Sequence, residues 1–134
     1  TAIPDLIPFA VIHNDSGSVI GRSTYMEIRP AHRGLEIGNT WIAKAHHGTR
    51  VNPEMKLLMM THAFETLGAI RVQYKTGHTN LHSQAAIAKL GALREGLLRN
   101  HMIEPGGTYR HTVVFSITID EWPAAKRKLE ERLA

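Results

Sequence analysis

The chain has 134 residues, 43% of them hydrophobic, which is one domain's length with enough apolar material for a core. It has no cysteine, which excludes disulfides, thiolate metal sites and a cysteine nucleophile. Its formal charge of +4 would fit nucleic acid or one small, highly charged phosphate ligand, and because the basic residues are scattered along the chain nucleic acid is not the expected partner.

The first apolar run, residues 9–12, is followed by the turn residues Asn14, Asp15, Ser16 and Gly17. Strand formers then recur at Val19, Ile20, Thr24, Tyr25 and Ile28, and the whole predicts a hairpin. Residues 30–34 break the pattern. Residues 35–44 predict a third strand, with Leu35, Ile37, Asn39, Trp41 and Ala43 on one face and Glu36, Gly38, Thr40 and Ile42 on the other. Asn52, Pro53 and Glu54 read as the N-cap, first residue and dipole partner of a helix. Met55, Leu58, Met59, His62, Phe64 and Leu67 give that helix an apolar face, and Gly68 stops it. Residues 71–75 predict a strand and residues 77–80 a turn. Asn80 caps a second helix with Leu81, Ala85, Ile87 and Leu90 as its apolar residues and Gly91 at its end. Residues 93–103 and 109–119 predict a hairpin around Glu104-Pro105-Gly106-Gly107, and a last helix carries Trp122, Leu129 and Leu133 on one face. The order β-β-β-α-β-α-β-β-α is that of one mixed α/β domain spanning residues 1–134. No apolar run approaches the roughly 18 residues that cross a bilayer, and the N-terminus has no basic region ahead of a long apolar stretch. No membrane partner is expected, and the expected compartment is the cytoplasm.

Several short signals recur in one order. They are Gly48-Thr49-Arg50-Val51-Asn52-Pro53-Glu54, His62-Ala63-Phe64 with Leu67-Gly68 and Arg71-Val72, Asn80-x-x-Ser83, and Lys89-Leu90-Gly91. Glu95-Gly96-x-x-Arg99, Val114-x-Ser116-Ile117 and Glu121-Trp122-Pro123 follow. Together, over roughly residues 17–133, they resemble the GNAT superfamily of N-acetyltransferases, in the ribosomal-protein N-terminal (RimJ/RimL-type) branch. The resemblance implies a GNAT-like acyl-CoA N-acyltransferase fold and acetyl-CoA (coenzyme A) as the cofactor. It implies that Gly48, Thr49, Arg50, Val51 and Asn52 form the loop that wraps the pyrophosphate. The physical fit is good, because a glycine-containing loop entering a helix N-terminus aims several N–H donors and a positive dipole end at one spot. The loop departs from the family at Ala45, where the family has Gln or Arg, and at Arg50, where a small residue is usual and a positive φ would strain a side chain.

The reaction implied is direct attack of a neutral amine on a thioester. It needs an amine kept neutral, donors for an oxyanion and a proton for the thiolate. The resemblance assigns backbone groups of Trp41, Ile42 and Ala43 to the pantetheine arm and the oxyanion, on a strand that splays from its neighbour with Gly38 and Asn39 marking a bulge. It places Asn80 against the cofactor. The usual tyrosine of the second cofactor helix is replaced by Ile87, and Ser83 matches the substitute proton donor of the Rim-type branch. Glu36, with Glu27 and His32 as alternatives, is the candidate base. Such a weak base set suits an N-terminal amine, with a pKa near 8, better than a lysine near 10.4. The nine histidines carry no metal spacing, so no metal is expected.

The same resemblance leaves residues 1–8 in place of the family's opening strand and helices. The chain is therefore expected to correspond to the C-terminal three-quarters of the fold and to self-associate, most simply as a homodimer. A non-catalytic acyl-CoA-binding or assembly module on the same fold is the alternative reading, and the acceptor is expected to be a protein N-terminus or a small amine.

Overall fold

The computed structural model of the chain describes residues 6–134. Six strands form one sheet in the order β1-β2-β3-β4-β6-β5: β1 (Leu6–Ile12), β2 (Val19–Arg29), β3 (Gly34–Ile42), β4 (Arg71–Gly77), β5 (Leu93–Ile103) and β6 (Tyr109–Thr118). Three helices, α1 (Val51–Thr61), α2 (Leu81–Lys89) and α3 (Trp122–Leu133), complete the predicted order. Of the segment 1–8 set apart from the sequence, residues 1–5 lie outside the described residues and residues 6–8 belong to β1.

The helices bury their apolar sides on one face of the sheet. Val72 and Tyr74 of β4 and Val113, Phe115 and Ile117 of β6 meet Met55, Met59, Met60 and Phe64 in a single core that also takes Ile87, Trp122 and Leu129. The face read for the first helix is corrected in part: Leu58 and Leu67 are exposed, and Met60 and Ala63 are buried instead. For Leu67 the cause is local: the last turn widens into a π turn at His62–Thr66, which rotates the residues that follow it relative to α-helical spacing. Phe64 then stacks on Trp122 with ring centroids 5.0 Å apart, and the Trp122 indole N–H donates to Glu65 at 2.9 Å. Leu81 of α2 is exposed as well, while Ile87 and Leu90 are buried.

The faces read for the third strand hold only as far as Ile37. Thr24 of β2 pairs with Gly38, but Arg22 pairs with Trp41, so β3 carries one residue more than β2 across this stretch. Asn39 sits there at φ 50°, in the left-handed region. This is the bulge expected at Gly38 and Asn39. The extra residue flips the alternation, so Ile42 joins Leu35 and Ile37 in the core while Trp41 is exposed. The strand ends at Ile42 rather than Lys44, which starts a short 3₁₀ turn, Lys44–His46.

Candidate functional site

β3 and β4 run parallel and pair at three positions, Gly34 with Arg71, Leu35 with Val72 and Glu36 with Gln73, and then part. β4 continues to Gly77 fully paired to β6 on its other edge, and β3 continues to Ile42 paired to β2. A wedge therefore opens between two strands that are each held from the outside. Ala43 donates its N–H to the Ile20 carbonyl at 2.7 Å, which orients the β3 backbone. Successive N–H groups of an extended strand point to opposite edges, so the Ile42 N–H faces the wedge. The Ile42 carbonyl accepts from His47 Nε2 at 2.6 Å. Of the three residues whose backbone was assigned to the arm, Ala43 has its N–H on the Ile20 carbonyl and its carbonyl accepting from the His46 N–H. The Trp41 backbone is aligned with Arg22 of β2.

The wedge leads down to the loop ahead of α1. Gly48 adopts φ +72°, where a side chain is strained, and nothing lies within 4 Å of its Cβ position. Arg50 lies at φ −70°, so its departure from a small residue costs no backbone strain. Arg50 is also the helix N-cap, a correction to the role read for Asn52, which is the second helical residue. The first turn is supported by Thr49, whose hydroxyl accepts from the Val51 N–H at 3.3 Å and donates to the His46 carbonyl at 2.7 Å. The N–H groups of Gly48, Thr49, Arg50 and Asn52 take no partner among the described residues. The Arg50 guanidinium pairs with Glu54 one turn on, at 3.3 Å on the surface. Donors, open space and a helix N-terminus thus coincide, and this set fits the pyrophosphate of coenzyme A.

On the sheet face away from the helices, Glu36 sits at the apex of the wedge and is buried. Its Oε1 accepts from Gln73 Nε2 at 3.0 Å and pairs with Lys75 Nζ at 3.2 Å. Glu27, held at φ 46°, reaches from β2 across β3 to the same two partners, at 3.0 Å from Gln73 and 2.9 Å from Lys75. Burial pulls the Lys75 pKa down, but the hydrogen bonds and charges of Glu27 and Glu36 outweigh it and the net shift is upward. One ammonium is thus shared between two carboxylates at the apex. His32, the other candidate base, is exposed on the turn before β3.

On the helix face, Lys56 of α1 is buried and reaches toward the wedge. Its Nζ donates to Thr40 Oγ1 at 3.2 Å and lies 5.2 Å from the centroid of the Tyr74 ring. Thr40 shares a 2.8 Å hydrogen bond with the buried Ser23. Burial lowers the Lys56 pKa to about 8 and raises that of the Tyr25 phenol to about 12. Tyr25 donates to the Met59 carbonyl at 2.5 Å. Tyr74 is pushed up too, chiefly by burial and then by Tyr25, and its hydroxyl is buried without a partner. The sequence reading passed over Lys56, Gln73, Lys75 and Tyr74. A lysine at an otherwise apolar helix position was the one visible signal.

At the wide end of the wedge, Asn80 caps α2 as expected: its Oδ1 accepts from the Ser83 N–H at 3.1 Å. Ser83 is half-buried in the first turn. Ile87 is buried in the core, so no acid stands at that position. Among the described residues no group of histidines and acids could hold a metal ion.

The family model described as Acetyltransferase (GNAT) domain matches residues 3–93. The chain is 30% identical over 110 residues to the Bacillus subtilis (strain 168) protein named "Putative ribosomal N-acetyltransferase YdaF", covering 82% of this chain and 59% of that one. It superposes on a GCN5-related N-acetyltransferase from Brucella melitensis at 35% identity and TM-score 0.92, over 97% of this chain and 58% of that one. Mycobacterium smegmatis RimJ, in complex with CoA-disulfide, matches at 25% identity and TM-score 0.82, over 96% of this chain and 60% of that one. The chain thus spans about three-fifths of the length of each of these relatives. The matching family model, the six-stranded sheet and the parting of β3 from β4 place this chain in the GNAT acetyltransferase family, on its RimJ/RimL-like side.

Proposed function

We propose that this chain transfers an acetyl group from acetyl-coenzyme A to a primary amine, most simply the N-terminal amine of a protein. The observation that carries the reading is the wedge, with a buried carboxylate at its apex and a donor-rich helix start at its mouth. Acetyl-coenzyme A, when bound, supplies the thioester carbonyl that an amine attacks. Gly48, Thr49, Arg50, Val51 and Asn52 hold the pyrophosphate through backbone N–H groups and the α1 dipole, each such bond to a charged acceptor contributing about 1.5–3 kcal/mol. The Ile42 N–H, beside Trp41, serves the arm that enters the wedge. Glu36 takes the proton of the incoming ammonium, with Glu27 and Gln73 orienting it. Asn80 and the Ser83 hydroxyl face the cofactor from α2.

The name of the Bacillus relative supports a protein N-terminal acceptor, and an amine near pKa 8 needs only a modest base. The reactants of such a transfer are cytoplasmic, and we place the chain there, acting as a homodimer. The buried Ile87 favours a second reading, a non-catalytic acyl-CoA-binding module on the same fold. Release of free thiol from acetyl-coenzyme A in the presence of N-terminal peptides or small amines decides between them. Turnover on peptides supports the proposal, turnover on small amines alone moves the acceptor class, and binding without turnover favours the module.

The loop assignment has its own test. Gly48→Asp puts a negative charge beside the phosphates and a Cβ on a left-handed residue. Calorimetry is expected to show coenzyme A affinity falling at least about tenfold, the loss of one charge-assisted bond. Unchanged affinity removes the loop from the site.

A further inference from the structure

A buried ammonium is normally paired. Lys56 Nζ has three donor hydrogens, yet among the described residues it meets one neutral hydroxyl, that of Thr40, and the face of one aromatic ring. The carboxylates Glu27 and Glu36 lie on the opposite face of the sheet, where Lys75 and Gln73 engage them. Titratable groups on the helix side include the Tyr25 and Tyr74 phenols, both held neutral by burial, and His62, whose ring stacks on that of Tyr25 at 6.3 Å. Leaving an ammonium short of acceptors in a core costs several kcal/mol, and the buried Tyr74 hydroxyl beside it is orphaned as well. Lys56 also bridges the wedge, with Thr40 on β3 and Tyr74 on β4 as its two contacts. An acceptor that completes this site must enter between those strands.

We infer that Lys56 supplies the proton to the sulfur leaving group of the bound acyl thioester. The inference rests on the acetyl-transfer reading and extends it. Ser83 can pass a hydrogen bond to that sulfur, but an aliphatic hydroxyl is far too weak an acid to be the net source at neutral pH, and Ile87 has no proton to give. Lys56 does, and its desolvated ammonium is poised to release one near the working pH. As the carbon–sulfur bond breaks, its electron pair passes to sulfur. Nζ transfers one proton there, leaving a free thiol and a neutral amine, and water returns a proton to Nζ. Between turnovers the ammonium faces the product thiol and favours its thiolate form.

The test is an ultraviolet titration of coenzyme A thiolate bound to the intact protein, with turnover measured beside it. In the wild-type complex the thiol is expected to ionise about one pH unit or more below that of the Lys56→Met complex. Lys56→Arg keeps a cation that cannot give up its proton. It should retain the lowered thiol pKa, while kcat falls at least about tenfold with little change in KM. Equal thiol ionisation in wild type and Lys56→Met, both binding coenzyme A, overturns the role of Lys56 and leaves the acetyl-transfer reading standing. Full turnover in Lys56→Arg does the same. Failure of the wild-type protein to bind coenzyme A overturns both.

Discussion

Lys56 contributes to stability with a sign that can be worked out. Its pKa falls from 10.5 in the unfolded chain to about 8 in the fold, because burial penalises the charged form. Below pH 8 both states carry the proton, so the burial penalty is present in full and stability does not change with pH on this account. Between about pH 8 and 10.5 the unfolded chain binds more protons than the native one, so stability rises with pH as the penalty is relieved. The whole effect is at most about 3 kcal/mol. Lys56→Met, which removes the charge and keeps the length, is expected to be more stable than wild type at pH 7 by denaturant titration, with the gap closing toward pH 10. A gap that is constant over that range means folding does not lower the Lys56 pKa, so its ammonium is not desolvated in the core. Ser83 is expected to behave differently. Its hydroxyl has no hydrogen-bond partner among the described residues, so Ser83→Ala should leave stability within about 0.5 kcal/mol. It should lower kcat with little change in KM for acetyl-coenzyme A, and an unchanged kcat removes Ser83 from the reaction.

Elements were legible where period and punctuation agreed. Gly17, Gly68, Gly91, Gly106 and Gly107 all lie at positive φ in the turns and helix ends read from them, and the order of strands and helices followed. What the sequence hid were the irregularities that make the site. A period-two reading of residues 35–44 cannot place a bulge's extra residue in the alternation, and so put Ile42 opposite Leu35 and Ile37. A 3.6-residue reading of α1 cannot foresee the π turn at His62–Thr66. The hydrogen bonds among Glu27, Glu36, Gln73 and Lys75 span three strands, and that proximity exists only after β2, β3 and β4 have found their register. Asn39 offers a test at this scale. Its φ of 50° is tolerated by asparagine and glycine and costs a β-branched residue roughly 1–3 kcal/mol. Asn39→Val should either lose that much stability or straighten β3 and narrow the wedge. Coenzyme A affinity should fall in both cases, while Asn39→Gly should bind normally. Normal binding by Asn39→Val would show that the bulge does not hold the wedge open.

Among the described residues, the outer edges of β1 and β5 have no neighbouring strand. The two are not equivalent. β1 carries exposed Leu6, Phe9 and Ile12, and Val19 opposite its end is exposed too. Beneath that hairpin a groove of about 540 Å³ runs between β1 and α1, with Phe9, Val11, Met55 and Leu58 on its walls. An apolar edge beside an apolar groove can be covered by strand pairing and side-chain burial at once, and a two-fold axis offers each copy the same bargain. Charged residues, which ordinarily blunt such an edge, are absent from residues 6–12. The wedge lies on the far side of β2 and β3, so strand pairing at β1 leaves it accessible, although Arg50 and Val51 of the cofactor loop border the groove at one end. The chain is therefore expected to sediment as a dimer at micromolar concentration. Ile12→Lys and Leu58→Lys, both surface changes on the folded chain, should each shift it to the monomer without loss of coenzyme A affinity. A wild-type monomer under those conditions would overturn the dimer. A dimer indifferent to both lysines would move the interface to β5, where Leu93, Leu97, Leu98, Met102 and Ile103 are exposed along the other edge.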